Sequence, residues 1–258
     1  VGARGTAGRP GVLSTFLSEA VMANYRIGTD DPTLKPDPGA GAWNSVPKQL
    51  KYRLLGAEIV NHLPHAAAVV GIDAAKNMLH YFGNTGADLT IDLAKMLQDV
   101  PAAQDAFNTE YWAARKFVES LPPGIHAITS EKVTHGYNAK ADGVNWYFAI
   151  GGYSVWGKGT ADVASVGGAA SYLLDFEFKF FDRYNWDAGK SVTLFGVTIT
   201  DSFMGEFHRQ GLAREFNCVG SLKSRHAWGA ARPAPAATPA PAPGVRPPAP
   251  PVPTKLAT

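Results

Sequence analysis

Apolar positions along this chain recur with two different periods, and the change falls near residue 122. Before it the spacing is three and four residues. Leu13, Phe16, Leu17, Ala20 and Val21 form one helical stripe, with Ser14 or a neighbour able to cap it. After a Pro/Gly-rich turn over residues 31–41, Leu50, Leu54, Ala57 and Val60 predict a second helix. Pro64 is expected to break or restart it, with a third helix from about His65 to Phe82. Gly83-Asn84-Thr85-Gly86 reads as a tight stop. Asp92 then caps a short helix through Val100, and Pro101 opens a longer one with Phe107, Tyr111, Ala114, Val118 and Leu121 on one face.

Beyond residue 122 the period becomes two. Tyr172, Leu174, Phe176, Phe178 and Phe180 alternate with Leu173, Asp175, Glu177, Lys179 and Phe181, the pattern of a half-buried strand. Strands are expected over 125–133, 144–150, 153–160, 172–181, 191–200 and 216–228, with Gly151-Gly152 as a hairpin signal. One helix interrupts them, from about Asp201 to Arg214, capped by Thr200 or Asp201. Helices first and strands later imply an α+β protein, a helical bundle packed beside a curved antiparallel sheet that carries one helix. Four zones follow: a flexible stretch 1–11, a helical region 12–121, a β-rich region 122–229 and a Pro/Ala-rich tail 230–258. The tail composition suits an extended or disordered end.

Charge narrows the function classes. The chain carries +2 overall, but Arg232, Arg246 and Lys255 lie in the acid-free tail, which leaves residues 1–229 at −1. A near-neutral body offers no electrostatic footprint for nucleic acid. The lone Cys218 excludes an internal disulfide framework and a thiolate zinc cluster, and its setting reads as a buried strand thiol. No apolar run is long enough to span a membrane, and the opening residues show no signal-peptide core, so any targeting signal would lie upstream.

The candidate chemistry collects after the Tyr172–Phe181 strand. Asp182 and Asp187 flank Tyr184, Asn185 and Trp186, and His208-Arg209 follow on the expected helix. A carboxylate can act as base, nucleophile or ligand, a histidine as base at neutral pH, and an arginine as clamp for an anion. With Phe203 and Phe207 facing inward, His208 falls near the edge of the buried face. The same residues also read as turn chemistry and packing, and both readings stand at this point. His62, His65 and His80 form a loose trio without a nearby acid, and the glycines of 151–159 are flanked by strands rather than by a strand and a helix, so neither a metal site nor a phosphate loop is expected. The sequence names no cofactor.

Two resemblances add to this. The segments GNTGADLTIDLAKMLQDVP (83–101) and FFDRYNWDAGKSV…GEFHRQGLAREF (180–216) resemble secreted, polymorphic-toxin-type domains of high-GC bacteria. Asp182-x-Tyr184, with His208-Arg209 downstream, is similar to the Asp-x-Tyr-Asp and His-Arg pattern of colicin M-type bacteriocins. That family pairs a helical domain with a β-rich one that cleaves the lipid-linked peptidoglycan precursor. The likeness implies a secreted or envelope-associated antagonism effector, a lipid-linked precursor or other envelope component as target, and a cognate immunity protein as partner. It implies acid/base roles for Asp182 and His208 on a phosphodiester and a pyrophosphate clamp at Arg209. Asn185 departs from the pattern where a second Asp would stand, with Asp187 as its substitute, and the gap before His-Arg is longer. The competing class is a non-catalytic carbohydrate-, envelope- or partner-binding module that stacks ligands on Trp146, Tyr153, Trp156 and Trp186. A structural surface or phage protein is a third. An alanine at His208 is expected to separate enzyme from binder.

Overall fold

A computed structural model describes residues 23–136, 143–187, 189, 191–194 and 197–231 of the chain. The stripe at Leu13–Val21 and nearly all of the Pro/Ala tail lie outside these residues. The described chain is α+β, as the change of period predicts. Its elements run β1 (Tyr25–Ile27), α1 (Leu50–Val70), α2 (Ile72–Phe82), β2 (Leu89–Thr90), α3 (Leu93–Asp99), α4 (Pro101–Glu119), β3 (Gly124–Ser130) and β4 (Val133–His135). They continue with α5 (Val144–Ala149), β5 (Tyr153–Val166), β6 (Ala169–Tyr184), β7 (Ser191–Leu194), β8 (Val197–Thr200), α6 (Asp201–Arg209) and β9 (Phe216–Gly229).

One open sheet has the order β1-β3-β5-β6-β9-β2, with β4 added on β5. Its pairs are antiparallel except β2 with β9, which run parallel. The centre is the long β5–β6 hairpin, whose two-residue turn is Gly167-Gly168 at φ 60° and 84°. Positive φ at both positions is the turn that matches strand twist, and glycine adopts it without strain. The hairpin expected at Gly151-Gly152 is absent. These residues join α5 to β5 instead.

The alternation in β6 is realised. Leu174, Phe176, Phe178, Phe180, Asp182 and Tyr184 all lie on the buried face. α4 covers that face: Phe107 meets Phe178 edge-on at 5.3 Å between centroids and Tyr111 meets Phe176 at 6.2 Å. Each buried phenylalanine contributes roughly 1.5–3 kcal/mol. The opposite face carries crossed charges, with Lys158, Glu177 and Lys223 in one row.

Several local expectations are corrected. α1 runs through Pro64 and stops at Gly71, because Asn145 seats against that turn and its Oδ1 accepts from the main-chain N–H groups of Asp73 and Ala74. A distant side chain thus caps α2. The α1 face that packs is Tyr52, Gly56, Ile59 and Val70, while Leu50 and Leu54 point outward. Residues 144–150 form a helix rather than a strand. Trp146, Ala149 and Ile150 are its buried positions, a helical spacing hidden in an apolar run too short to show its period. Among its described residues the β-rich region therefore holds a second helix beside Asp201–Arg209. The single strand expected over 191–200 is a small hairpin, β7 with β8, apart from the main sheet. Two short strands, β1 and β2, also arise inside the region read as helical.

Candidate functional site

Where β6 ends, it delivers Asp182 and Tyr184 to the buried face one pleat apart, opposite Cys218 and Phe216 of β9. Tyr184 stacks on Phe216 at 4.8 Å and meets Trp186 edge-on at 5.6 Å, with Tyr81 of α2 closing the cluster. The Tyr184 hydroxyl is buried and accepts or donates no hydrogen bond, and the Trp186 indole N–H is in the same condition. Burial raises the Tyr184 phenol well above its usual range, and the charges at Cys218, Asp182 and Asp201 add to the effect. Two carboxylates therefore lie within Coulomb reach of one buried, protonated phenol. Asp182 Oδ2 also accepts from the Gly151 N–H at 3.4 Å. Asp187 accepts from the Asn185 side chain at 3.0 Å in the turn beyond the strand.

α6 starts beside this strand end, capped by Thr200, whose hydroxyl accepts from Phe203 N–H at 3.1 Å. His208 lies inside its buried face rather than at the edge, only 3% exposed. Its Nδ1 accepts from the Glu215 N–H at 3.1 Å, and its Nε2 therefore donates to Gly41 O at 3.0 Å. Both ring nitrogens are occupied by main chain. Burial pushes the His208 pKa down, partly opposed by Glu215 at 3.9 Å. The neighbouring Arg209 turns outward and pairs with Glu206, while its buried Nε has no partner.

Glu215 is the hub that sequence reasoning missed. It is 2% exposed and accepts from Ala40 N–H at 2.9 Å and Trp186 N–H at 3.0 Å, with Arg183 at 3.9 Å. The loop meets it at Gly39, φ 59°, where a Cβ would lie 2.3 Å from the carboxylate, so no side chain fits. Nothing in the local sequence distinguishes Glu215 from a surface acid. Asp201 was legible only as a helix cap. Asp182, by contrast, announces itself: a carboxylate continues the inward register of Phe176, Phe178 and Phe180.

The structure thus places Asp182 and Tyr184 on one buried face at the strand end, with Trp186 beside Tyr184. His208 is bonded into the adjoining Glu215 hub, and Arg209 stands on the outer side of α6. The aromatic residues expected to stack ligands are placed otherwise. Trp146 is buried and bonds Asp99, Trp156 is buried and bonds Asp31, and Tyr153 is sandwiched by His135 and Phe180. Trp146 sits in a helix, and the 28–31 loop covers Trp156, neither of which strand alternation reveals. Among the described residues no group of three or more His, Cys, Asp or Glu side chains gathers to hold a metal. A cleft of about 600 Å³ lies elsewhere, on the outer sheet face. Of its charges, Asp175 pairs with Arg225 at 3.3 Å and Lys158 with Asp31 beyond the cleft at 2.7 Å, which marks a solvated ladder. The unpartnered phenol at the strand end is the stronger candidate.

The fold defines a class, an α+β domain built on an open mixed sheet. No protein-family model matches the chain, and no curated protein matches its sequence. Solved structures with partial likeness include PaeM, a colicin M-like bacteriocin produced by Pseudomonas aeruginosa, at 12% identity and TM-score 0.36 over 62% of this chain and 52% of that one. Truncated bacteriocin syringacin M from Pseudomonas syringae pv. tomato aligns at 14% identity and TM-score 0.28, over 60% and 59%. Pectocin M2 aligns at 12% identity and TM-score 0.27, over 71% and 65%. The chain covers less than two thirds of the length of each.

Proposed function

We propose that this protein is an antibacterial effector of the bacteriocin type that acts at the cell envelope, where it hydrolyses a phosphodiester of a lipid-linked cell-wall precursor. The observation that carries the reading is the Tyr184 hydroxyl, buried without a hydrogen-bond partner on the same strand face as Asp182. An orphaned buried donor is costly unless something uses it, and a phosphate oxygen would accept its bond. In this scheme Asp182 takes the proton of an attacking water as its oxygen bonds to phosphorus. Tyr184 donates to a non-bridging oxygen, the bond from phosphorus to the ester oxygen breaks, and that oxygen leaves with the proton Asp182 took from the water. Asp187 supports the site from the turn. Arg209 holds the second phosphate, and His208 positions α6 against the Glu215 hub. The Asp-x-Tyr and His-Arg resemblance to colicin M-type bacteriocins favours the same substrate class. A cognate immunity protein covering this strand end would complete the system.

The test is expression of the full chain in a susceptible bacterium, directed to cytoplasm or periplasm, beside Asp182→Asn and Tyr184→Phe variants. Periplasm-only lysis, lost by about a hundredfold or more in both variants with the fold intact, supports the reading. So does release of the phosphorylated sugar–peptide from purified precursor. Normal growth in both compartments with no release sinks it and leaves a non-catalytic module. His208→Ala is an unsuitable discriminator here, because deleting a ring bonded on both nitrogens disturbs the fold itself.

A further inference from the structure

Resting on that reading, we infer that the segment from Trp43 through the first turns of α1 docks on an anionic phospholipid bilayer and holds the site at the membrane surface. α1 is 21 residues long, yet its outward side has no partner within the described chain. Leu50 is 69% exposed, Leu54 63% and Trp43 40%. Folded proteins expose single leucines routinely, but a helix start that presents Leu50 and Leu54 together with Leu55, 37% exposed, is a patch. Trp43, seven residues earlier, holds its ring against Arg214 and donates its indole N–H to Asn84. The charges around it have one sign. Lys48, Lys51 and Arg53 are all exposed, and no acidic residue occurs between Asp37 and Glu58. Exposed leucines with interleaved cations are the composition of an element that lies in a membrane interface. Beside Arg53 a groove of about 380 Å³, floored by Tyr52, Phe82 and Phe207, gives room for an acyl tail. Among the described residues no helix is long and apolar enough to cross a membrane, so the element rests on the bilayer.

The segment is bolted to the site. Asn44 N–H donates to His208 O at 3.1 Å, Val46 N–H to Arg209 O at 3.0 Å, and Gln49 N–H to the Gln210 side chain at 2.7 Å. Whatever fixes residues 43–55 on a surface therefore fixes α6 as well. A lipid-linked substrate resides only at that surface, and docking there replaces a three-dimensional search by a two-dimensional one.

The experiment is co-sedimentation of the full chain with vesicles of phosphatidylglycerol and phosphatidylethanolamine, compared with phosphatidylcholine alone. Sedimentation with the anionic vesicles, weakening as salt rises, is expected. Leu50→Glu with Leu54→Glu should weaken it about tenfold or more while circular dichroism and melting stay unchanged, since both side chains are largely in water. Replacing Lys48, Lys51 and Arg53 by Gln should cost on the order of a hundredfold on anionic vesicles and little on phosphatidylcholine. No sedimentation, or variants that sediment like the parent, overturns the inference. So does a parent that stays in solution as a dimer which the leucine double variant dissociates, because the patch is then a self-association face. Detergent-dispersed precursor separates this from the active-site reading. If the parent cleaves it without binding vesicles, docking alone fails. If Asp182→Asn binds vesicles and still cleaves, the site assignment fails and docking stands.

Discussion

Two glutamates in this protein are equally buried and differently served. Glu215 accepts two main-chain N–H groups and has Arg183 and His208 beside it. Glu110, on α4 and 1% exposed, accepts on Oε2 from Tyr25 at 2.9 Å and Ser130 at 3.1 Å, while its Oε1 has no partner. Burial raises the Glu110 pKa from 4.5 to about 7, against the lowering effect of its hydrogen bonds. The difference teaches that donors, not depth, decide what a buried acid does. Glu215 ties the 39–41 loop, the 186 turn and α6 into one knot. Glu110 tethers the edge strand β1 to α4 through a carboxyl that is most comfortable protonated.

The largest effect should come from breaking the better-served acid. Glu215→Ala leaves two main-chain N–H groups without their acceptor and Arg183 without its counter-charge, and a loss of about 3–5 kcal/mol is expected by denaturant unfolding. A loss below about 1 kcal/mol would mean the knot is not structural. Next comes Glu110, where the sign can be worked out. Its folded pKa lies above the unfolded value, so the folded state holds the extra proton. The stabilisation is full below about pH 4.5 and disappears as pH rises through about 7. The parent should therefore lose up to about 3 kcal/mol across this window relative to Glu110→Gln. Parallel profiles of the two proteins between pH 5 and 8 would refute that. His208 carries the opposite sign. Its pKa is depressed, so its contribution is present above pH 6.5 and falls away as pH drops. His208→Asn should cost about 1–2 kcal/mol at neutral pH and flatten the acid limb measured by thermal melting. The smallest effect belongs to Leu50→Ser and Leu54→Ser, within about 0.5 kcal/mol in stability, because these side chains leave no core behind.

Much of the fold was legible where periodicity was long. The ten residues from Tyr172 to Phe181 declare their buried face, and Asp92, Pro101 and Thr200 sit where helix starts need them. Asp182 and Tyr184 were legible as site candidates for the same reason, since they extend that face. Short apolar stretches failed. Residues 144–150 alternate well enough for a strand and are held as a helix by burial of Trp146 and by the reach of Asn145 to α2. Leu50 and Leu54 look like a core stripe, but the inner side of α1 is set by Gly56 meeting Phe207 and Phe82.

What the amino-acid sequence determined by itself is everything that local physics dictates: the change of period, the caps and stops, the inward register of the longest strand, and a near-neutral body without a nucleic-acid footprint. Only the tertiary structure decided which acids matter. Glu215 becomes a hub, Glu110 a proton holder and Tyr184 an orphaned donor because segments distant in sequence bring donors to the first, too few to the second and no acceptor to the third. Hydrogen-bond satisfaction in a buried site is a property of that assembly, and no window of residues contains it.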